Sequence, residues 1–388
     1  MVAANVPFGA TKLDQLMDEA GVALVLATSK HNVQYLLGGY RYHFFVHSDA
    51  IGVSRYLPIV GYQAGRLEGS FYVGNEVESD QQEVSAPLWV GEIRNRCWTS
   101  RCAALEAADL IRQRGLQSGK IAIERSWIPE DAATMLAQEL PHAEFVEATE
   151  ILDELRAVKR PDELLKLKCA SELIVESMLA AMGNAQPGVS REEMFHDIHL
   201  EEVRRGLDFD YCLISAGKSP NRTPQTGRWE AGSILSLDSG GNKDGYIGDV
   251  TRMAVMGNPT SEMLERLAEI DSIQMAARGP IRAGAIGGAI YEAAEAELSK
   301  HVHREKFQFL AHGMGLTSNE APRLTSTGVV PYPATHRDRP MVAGMVISIE
   351  TAHVSSIGLV KLEDTVVVTE SGWEAYGDDG RGWNGPRR

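Results

Sequence analysis

Two stretches of this chain carry paired acids. In "LDSGGNKDGYIGDVTRMAV" (Leu237–Val255), Asp238 and Asp249 flank a Gly-rich turn. In "MVISIE", Glu350 closes an apolar run, and in "VKLEDTVVVT", Glu363 opens one. Between them lies "LAHGMGLTSNEAP", where His312 is followed by Gly313 and Gly315; glycines there let the backbone pass close to another group. Each acid pair reads as two adjacent strands, so four carboxylates and an imidazole meet at a sheet centre. Two like charges ~4 Å apart repel by roughly 4 kcal/mol at an effective dielectric near 20. Several such pairs would exceed the whole stability of a typical domain, about 5–15 kcal/mol. Protons or a multivalent cation must offset this. The donor set suits two divalent ions of the Mn, Fe, Co or Zn type, because all-oxygen Ca or Mg sites seldom recruit His. Paired metals can generate hydroxide near neutral pH and polarise a carbonyl. Taken singly, each residue has an ordinary explanation as a turn-former, a structural His or a solvated acid, so the chemistry rests on the ordered set.

Something must hold these strands side by side. In "ELRAVKRPDELLKLKCA" (Glu154–Ala170), Pro161 suits the first turn of a helix with Asp162 and Glu163 beside it, and helical spacing runs to about Met182. "SREEMFHDIHLEEVRRG" opens with Ser190 and Glu193 spaced as a capping box and stops at Gly206. Further helices are predicted over Ser261–Ala277 and Ala285–His301. Helices with antiparallel strand pairs give an α+β second domain. Upstream, "GVALVLATS" and "GKIAIER" read as strands, and "ALEAADLIRQRGL" and "AATMLAQELPH" as helices. That alternation predicts an α/β domain of about 150 residues. The expected organisation is 1–155, 156–375 and a tail, 376–388, which is mobile unless Trp383 anchors it.

The chain has 388 residues and a formal net charge of −15. The length exceeds what one core usually holds. The acidic balance argues against nucleic acid, whose phosphates need a basic footprint. No apolar run is long enough to span a bilayer, so no membrane role is expected, and the N-terminus lacks the pattern of a secretory leader. Four sparse cysteines fit a reducing cytoplasm. Cys97 and Cys102 have no second Cys or His pair at zinc spacing and read as ordinary thiols.

The order Asp238, Asp249, His312, Glu350, Glu363 resembles the pita-bread metallopeptidase superfamily, which includes methionine aminopeptidase, aminopeptidase P, prolidase and creatinase. "LDSGG…GDVTRM", "HGMGL", "GMVISIE" and "KLEDTVVVT" carry the resemblance. "LRAVKRPDELLKLKCA" looks like the helix that leads into the catalytic domain. "HNVQYLLGGY" (His31–Tyr40) looks like the N-terminal motif of the creatinase/prolidase branch. The resemblance implies a creatinase-like pita-bread catalytic domain behind a smaller α/β domain, and a homodimer. It implies that Asp238 holds one metal, His312 and Glu350 the other, and that Asp249 and Glu363 bridge both. Glu350 would also stand near the attacking water and take its proton.

Two histidines common in these peptidases are absent. "PNRTP" offers Asn221 where one would stand, and "SNEAP" offers Asn319 for the other. Lys361 replaces the Arg often found two residues before the last Glu. Asn can donate and accept hydrogen bonds but cannot titrate near neutrality. The reading is therefore a metal-dependent hydrolase that cleaves a C–N bond, amide, amidine or peptide, in a small substrate. A Xaa-Pro dipeptidase or aminopeptidase stands close behind, followed by a lyase acting on a small zwitterion and a non-catalytic binding protein. His353, three residues after Glu350, is a further proton-transfer candidate. "RYHFFVHSD" supplies Arg41, Tyr42, His43, Phe44, Phe45 and His47, aromatics that could face a cationic substrate in a dimer mate's site, although packing is the ordinary explanation.

Overall fold

The computed structural model describes residues 6–42, 44, 47, 56–85, 87–327 and 332–386. The chain divides into two compact units, Met1–Leu155 and Arg156–Arg388.

The first unit runs α1 (Ala10–Ala20), β1 (Leu24–Ala27), α2 (Lys30–Leu36), β2 (Ile59–Gln63), β3 (Phe71–Gly74), α3 (Glu78–Ser85), β4 (Glu92–Asn95), α4 (Ser100–Gln113), β5 (Lys120–Ile123), α5 (Glu130–Glu139), β6 (Glu144–Glu147) and α6 (Thr149–Arg156). Its six strands lie in the order β4-β3-β2-β1-β5-β6. The sheet is mixed: β1 pairs antiparallel with β2 and parallel with β5. The small, regularly spaced Ala103, Ala104, Ala107 and Ala108 let α4 pack closely over Leu24, Leu26 and Ile121. The start of α2 is tied to the end of β5: the Glu124 carboxylate accepts from the Ser29 amide at 2.9 Å and from Asn32 Nδ2 at 2.6 Å. In the aromatic segment, Tyr42 packs on Phe44 and Tyr56, with ring centroids 5.7 Å apart in both pairs. His43 and Phe45 lie outside the described residues. Trp98 and Trp127 are exposed, whereas Trp89 donates its indole N–H to the Leu36 carbonyl at 2.6 Å.

The second unit continues with α7 (Pro161–Asn184), β7 (Val189–Ser190), α8 (Arg191–Arg204), β8 (Asp208–Ala216), β9 (Arg228–Trp229), β10 (Ile234–Lys243), β11 (Tyr246–Val255), α9 (Ser261–Arg278), α10 (Ala289–Leu298), β12 (Phe307–Gly313), β13 (Val346–Ser355), β14 (Gly358–Val368) and β15 (Trp373–Tyr376). The capping box forms: Ser190 Oγ accepts from the Glu193 amide at 3.1 Å, and the Glu193 carboxylate accepts from the Ser190 amide at 2.8 Å. The helix predicted from Ala285 starts only at Ala289, because Gly287 and Gly288 sit tight against the backbone at His336 and Arg337.

The main sheet is antiparallel, in the order β12-β13-β14-β11-β10-β8, with β15 on β14. Strands alternate faces with period two. Leu235, Leu237, Val250 and Ala254 face Ile174, Met178 and Met182 of α7 and Ile198 of α8. Ile347, Ile349, Leu362 and Val366 face Leu267, Ile270 and Ile273 of α9 and Ile290 of α10. Each such side chain fully buried contributes about 1.5–3 kcal/mol, which fixes which face of every strand meets the helices. A Cβ at Gly248 would lie 2.8 Å from the Ser171 amide, so glycine is what lets β11 approach α7. The tail is held: Trp383 donates to the Met263 carbonyl at 3.1 Å, and Asn384 bridges to the Met253 carbonyl. Beneath the sheet, fully buried Asp364 pairs with Arg252 and Arg278, at 2.8 Å each.

Candidate metal centre

With the alternate positions committed to the helices, the acids fall on the opposite face. Register then lines them up. Asp238 stands opposite Thr251, Thr251 opposite Glu363, and Glu363 opposite Glu350. One period-two step along, Gly240 stands opposite Asp249 and His312 opposite Ser348. Cross-strand partners share a face, so all five expected residues converge there.

Asp249, His312 and Glu363 offer ligand atoms within 4.8 Å of one another, and all three are buried. His312 Nε2 lies 3.7 Å from Glu363 Oε1. Ser348 Oγ donates to the same oxygen at 2.8 Å, and Thr251 Oγ1 donates to Glu363 Oε2 at 3.2 Å. Tyr211, whose neighbours include Ser318, stands beside Asp249. Its ring fits because residue 240 is glycine: a Cβ there would sit 2.4 Å from that ring.

Asp238 and Glu350 join the cluster through Lys361. Its Nζ lies 2.8 Å from Asp238 Oδ2, 2.5 Å from Glu350 Oε2 and 2.8 Å from Glu363 Oε2. Arg222 pairs with Asp238 from the loop after β8.

The electrostatics follow from burial and proximity. Burial, and then the neighbouring Glu363 charge, push the Asp249 carboxyl up to about 7. Burial alone would lower His312, but Glu363, Glu350 and Asp249 outweigh it and raise the imidazole to about 9. Burial would likewise raise Glu363, yet the Lys361 and His312 charges hold it well below the usual carboxylate range. Lys361 is raised despite burial by Glu363 and Glu350.

The remaining expected residues are placed differently. Asn221 is exposed, and its Oδ1 accepts from the Thr223 amide at 2.9 Å, which turns the chain so that Arg222 meets Asp238. Asn319 lies on the loop after β12, where its carbonyl accepts from Thr317 Oγ1 at 3.1 Å. His353 is an odd number of residues from Glu350, so it points to the helix face. There its ring packs on Phe307 with centroids 4.5 Å apart. Lys361, noted in the sequence only as standing in place of an Arg, is a residue of the site: it is two residues from Glu363 and so shares its face. Two further residues of the site were not candidates. Arg222 and Tyr211 are brought in by a loop and by strand register, which no local pattern announces.

Residues 166–370 match Metallopeptidase family M24, and residues 10–158 match the Creatinase/Prolidase N-terminal domain. The chain belongs to family M24. It is 24% identical over 383 residues to the "Putative dipeptidase YkvY" of Bacillus subtilis, covering 93% of this chain and 95% of that protein. It is 23% identical over 369 residues to a Xaa-Pro dipeptidase of Pyrococcus horikoshii, covering 93% and 94%. The solved Xaa-Pro dipeptidase from Bacillus anthracis superposes with a TM-score of 0.79 at 20% identity, covering 97% and 98%. The pita-bread fold and the creatinase/prolidase branch expected from the sequence hold, and M24 membership makes this a metal-dependent hydrolase of C–N bonds.

M24 implies divalent metal. Asp249, His312 and Glu363 fit one such ion by donor type and proximity. Asp249 Oδ1 is buried without a hydrogen-bond partner among the described residues, as an oxygen reserved for a ligand would be.

Proposed function

We propose that this chain hydrolyses an amide, amidine or peptide C–N bond in a small substrate, with a divalent ion of the Mn, Fe, Co or Zn type on Asp249, His312 and Glu363. The observation that carries this reading is the convergence of those three buried side chains, with one Asp249 oxygen lacking a hydrogen-bond partner among the described residues. An ion bound there would polarise a carbonyl and acidify water. The chain's own residues do the rest. Glu350, the most exposed of the five, stands at the open side of the cluster, where it can accept a proton. Lys361 Nζ holds Glu350 in place at 2.5 Å. Ser348 orients Glu363, and Tyr211 stands beside Asp249.

A Xaa-Pro dipeptidase is the second reading, supported by the names of similar proteins. The asparagines at 221 and 319 favour a non-peptide substrate, because neither can relay a proton. We further propose a homodimer in the cytoplasm. The four free cysteines support that compartment, and no helix among the described residues is long and apolar enough to cross a membrane.

The test is turnover of Xaa-Pro dipeptides, cyclic amides, amidines and betaines in ¹⁸O-labelled water. Hydrolysis places label in the product, and Glu350→Gln should slow it about 10²–10⁴-fold. An unlabelled alkene product would instead establish a lyase. Full activity in Glu350→Gln would remove Glu350 from proton transfer.

A further inference from the structure

Asp238 is the residue that a second metal ion would need, Glu350 would share the ion on His312, and both already have cationic partners. The geometry points to Lys361 as the resident second cation: its ammonium fills the space between Asp238, Glu350 and Glu363, and the chain takes one divalent ion rather than two. This rests on the reading of Asp249, His312 and Glu363 as a metal site.

Three observations support it. The Lys361 ammonium makes three ion pairs of 2.5–2.8 Å, one for each of its protons, so it has no spare donor and no reason to leave. Its stem rises from β14, a central strand between β13 and β11, and the residue is buried. Charge also balances. Four carboxylates carry four negative charges; Lys361, Arg222 and one divalent ion supply four positive charges when His312 ligates as the neutral imidazole. A second divalent ion would leave a buried excess of positive charge beside a fixed ammonium, which low-dielectric surroundings oppose. Glu350 is then held by a side chain instead of a metal.

The experiment is equilibrium dialysis against MnCl₂, with bound Mn counted by mass spectrometry, on the wild-type protein, Lys361→Met and Asp249→Asn. Methionine keeps the length of the stem and removes the charge. We expect one ion per wild-type chain, two in Lys361→Met and none in Asp249→Asn. Two ions in the wild type overturn the lysine assignment and leave the metal site standing. One ion in folded Lys361→Met also overturns it. No ion in the wild type sinks the metal site itself, and this inference with it. If Lys361→Met does not fold, anomalous diffraction from Mn-soaked wild-type crystals decides. A single peak beside His312 supports the proposal, and a second peak beside Asp238 overturns it.

Discussion

Lys361 and Glu363 lie two residues apart on one strand, and the ammonium of the first is 2.8 Å from the carboxylate of the second. The pleat makes them neighbours on the same face, so a strand that brings an acid to the metal also brings its counter-charge. The buried acids therefore have a counter-charge built into the sheet itself.

Metal should stabilise the fold through Asp249. An ion that binds only the native state adds about 2.7 kcal/mol at a free concentration of one hundred times Kd. Thermal melts with and without MnCl₂ should show a rise in Tm for the wild type and none for Asp249→Asn. An equal rise in both would remove Asp249 from the ligands.

Asp364 should be a stability residue with no part in chemistry. Its carboxylate lies between the buried guanidinium groups of Arg252 and Arg278 on the helix face. Asp364→Ala leaves two buried cations short of a partner and should cost about 3–5 kcal/mol, read by urea denaturation. A change within 1 kcal/mol would show that water or the nearby Asp378 replaces it.

Gly240 should prove intolerant for a reason unrelated to backbone freedom. The Cβ of Gly240→Ala would strike the Tyr211 ring, and that ring stands beside Asp249. Overpacking of this kind costs about 1–3 kcal/mol, and displacing Tyr211 should weaken Mn binding. Calorimetric titration of Gly240→Ala with MnCl₂ checks this, with unchanged affinity as the contrary result.

His353 should shape the acid limb of stability. Burial, with Arg266 and Lys306 nearby, lowers its imidazole to about 4, whereas an unfolded His titrates near ~6.5. The unfolded chain therefore takes a proton that the folded chain refuses. The contribution of neutral His353 is complete above ~6.5 and is lost as pH falls from there towards 4. His353→Phe should flatten that part of the stability–pH curve while leaving turnover unchanged. Lost turnover in a stable His353→Phe would return His353 to the chemistry.

Much of the catalytic half was legible because hydrophobic alternation and acid position are the same information. Leu237 beside Asp238 and Ile349 beside Glu350 fix the buried face of the strand and so aim the acid. The same rule misplaced His353 when spacing was read without parity: three residues on from Glu350 is the wrong side of the sheet. Arg222 was illegible for another reason. Its approach depends on the turn that Asn221 makes with Thr223, and on the path of a loop, neither of which a local pattern sets. In the first unit, helices and strands could be read in turn, but β1 pairs with β2 across more than thirty residues. Chain entropy and tertiary packing decide that pairing, not propensity.

The two halves of the main sheet meet at one rung, where Thr251 of β11 faces Glu363 of β14. Asp238 and Asp249 stand on one bank of that seam, and His312, Glu350 and Lys361 on the other. Whatever sits between them is mortar as much as reagent. A widening of the seam too slight to disturb either helical layer would be felt at once as a change in the grip on the cation.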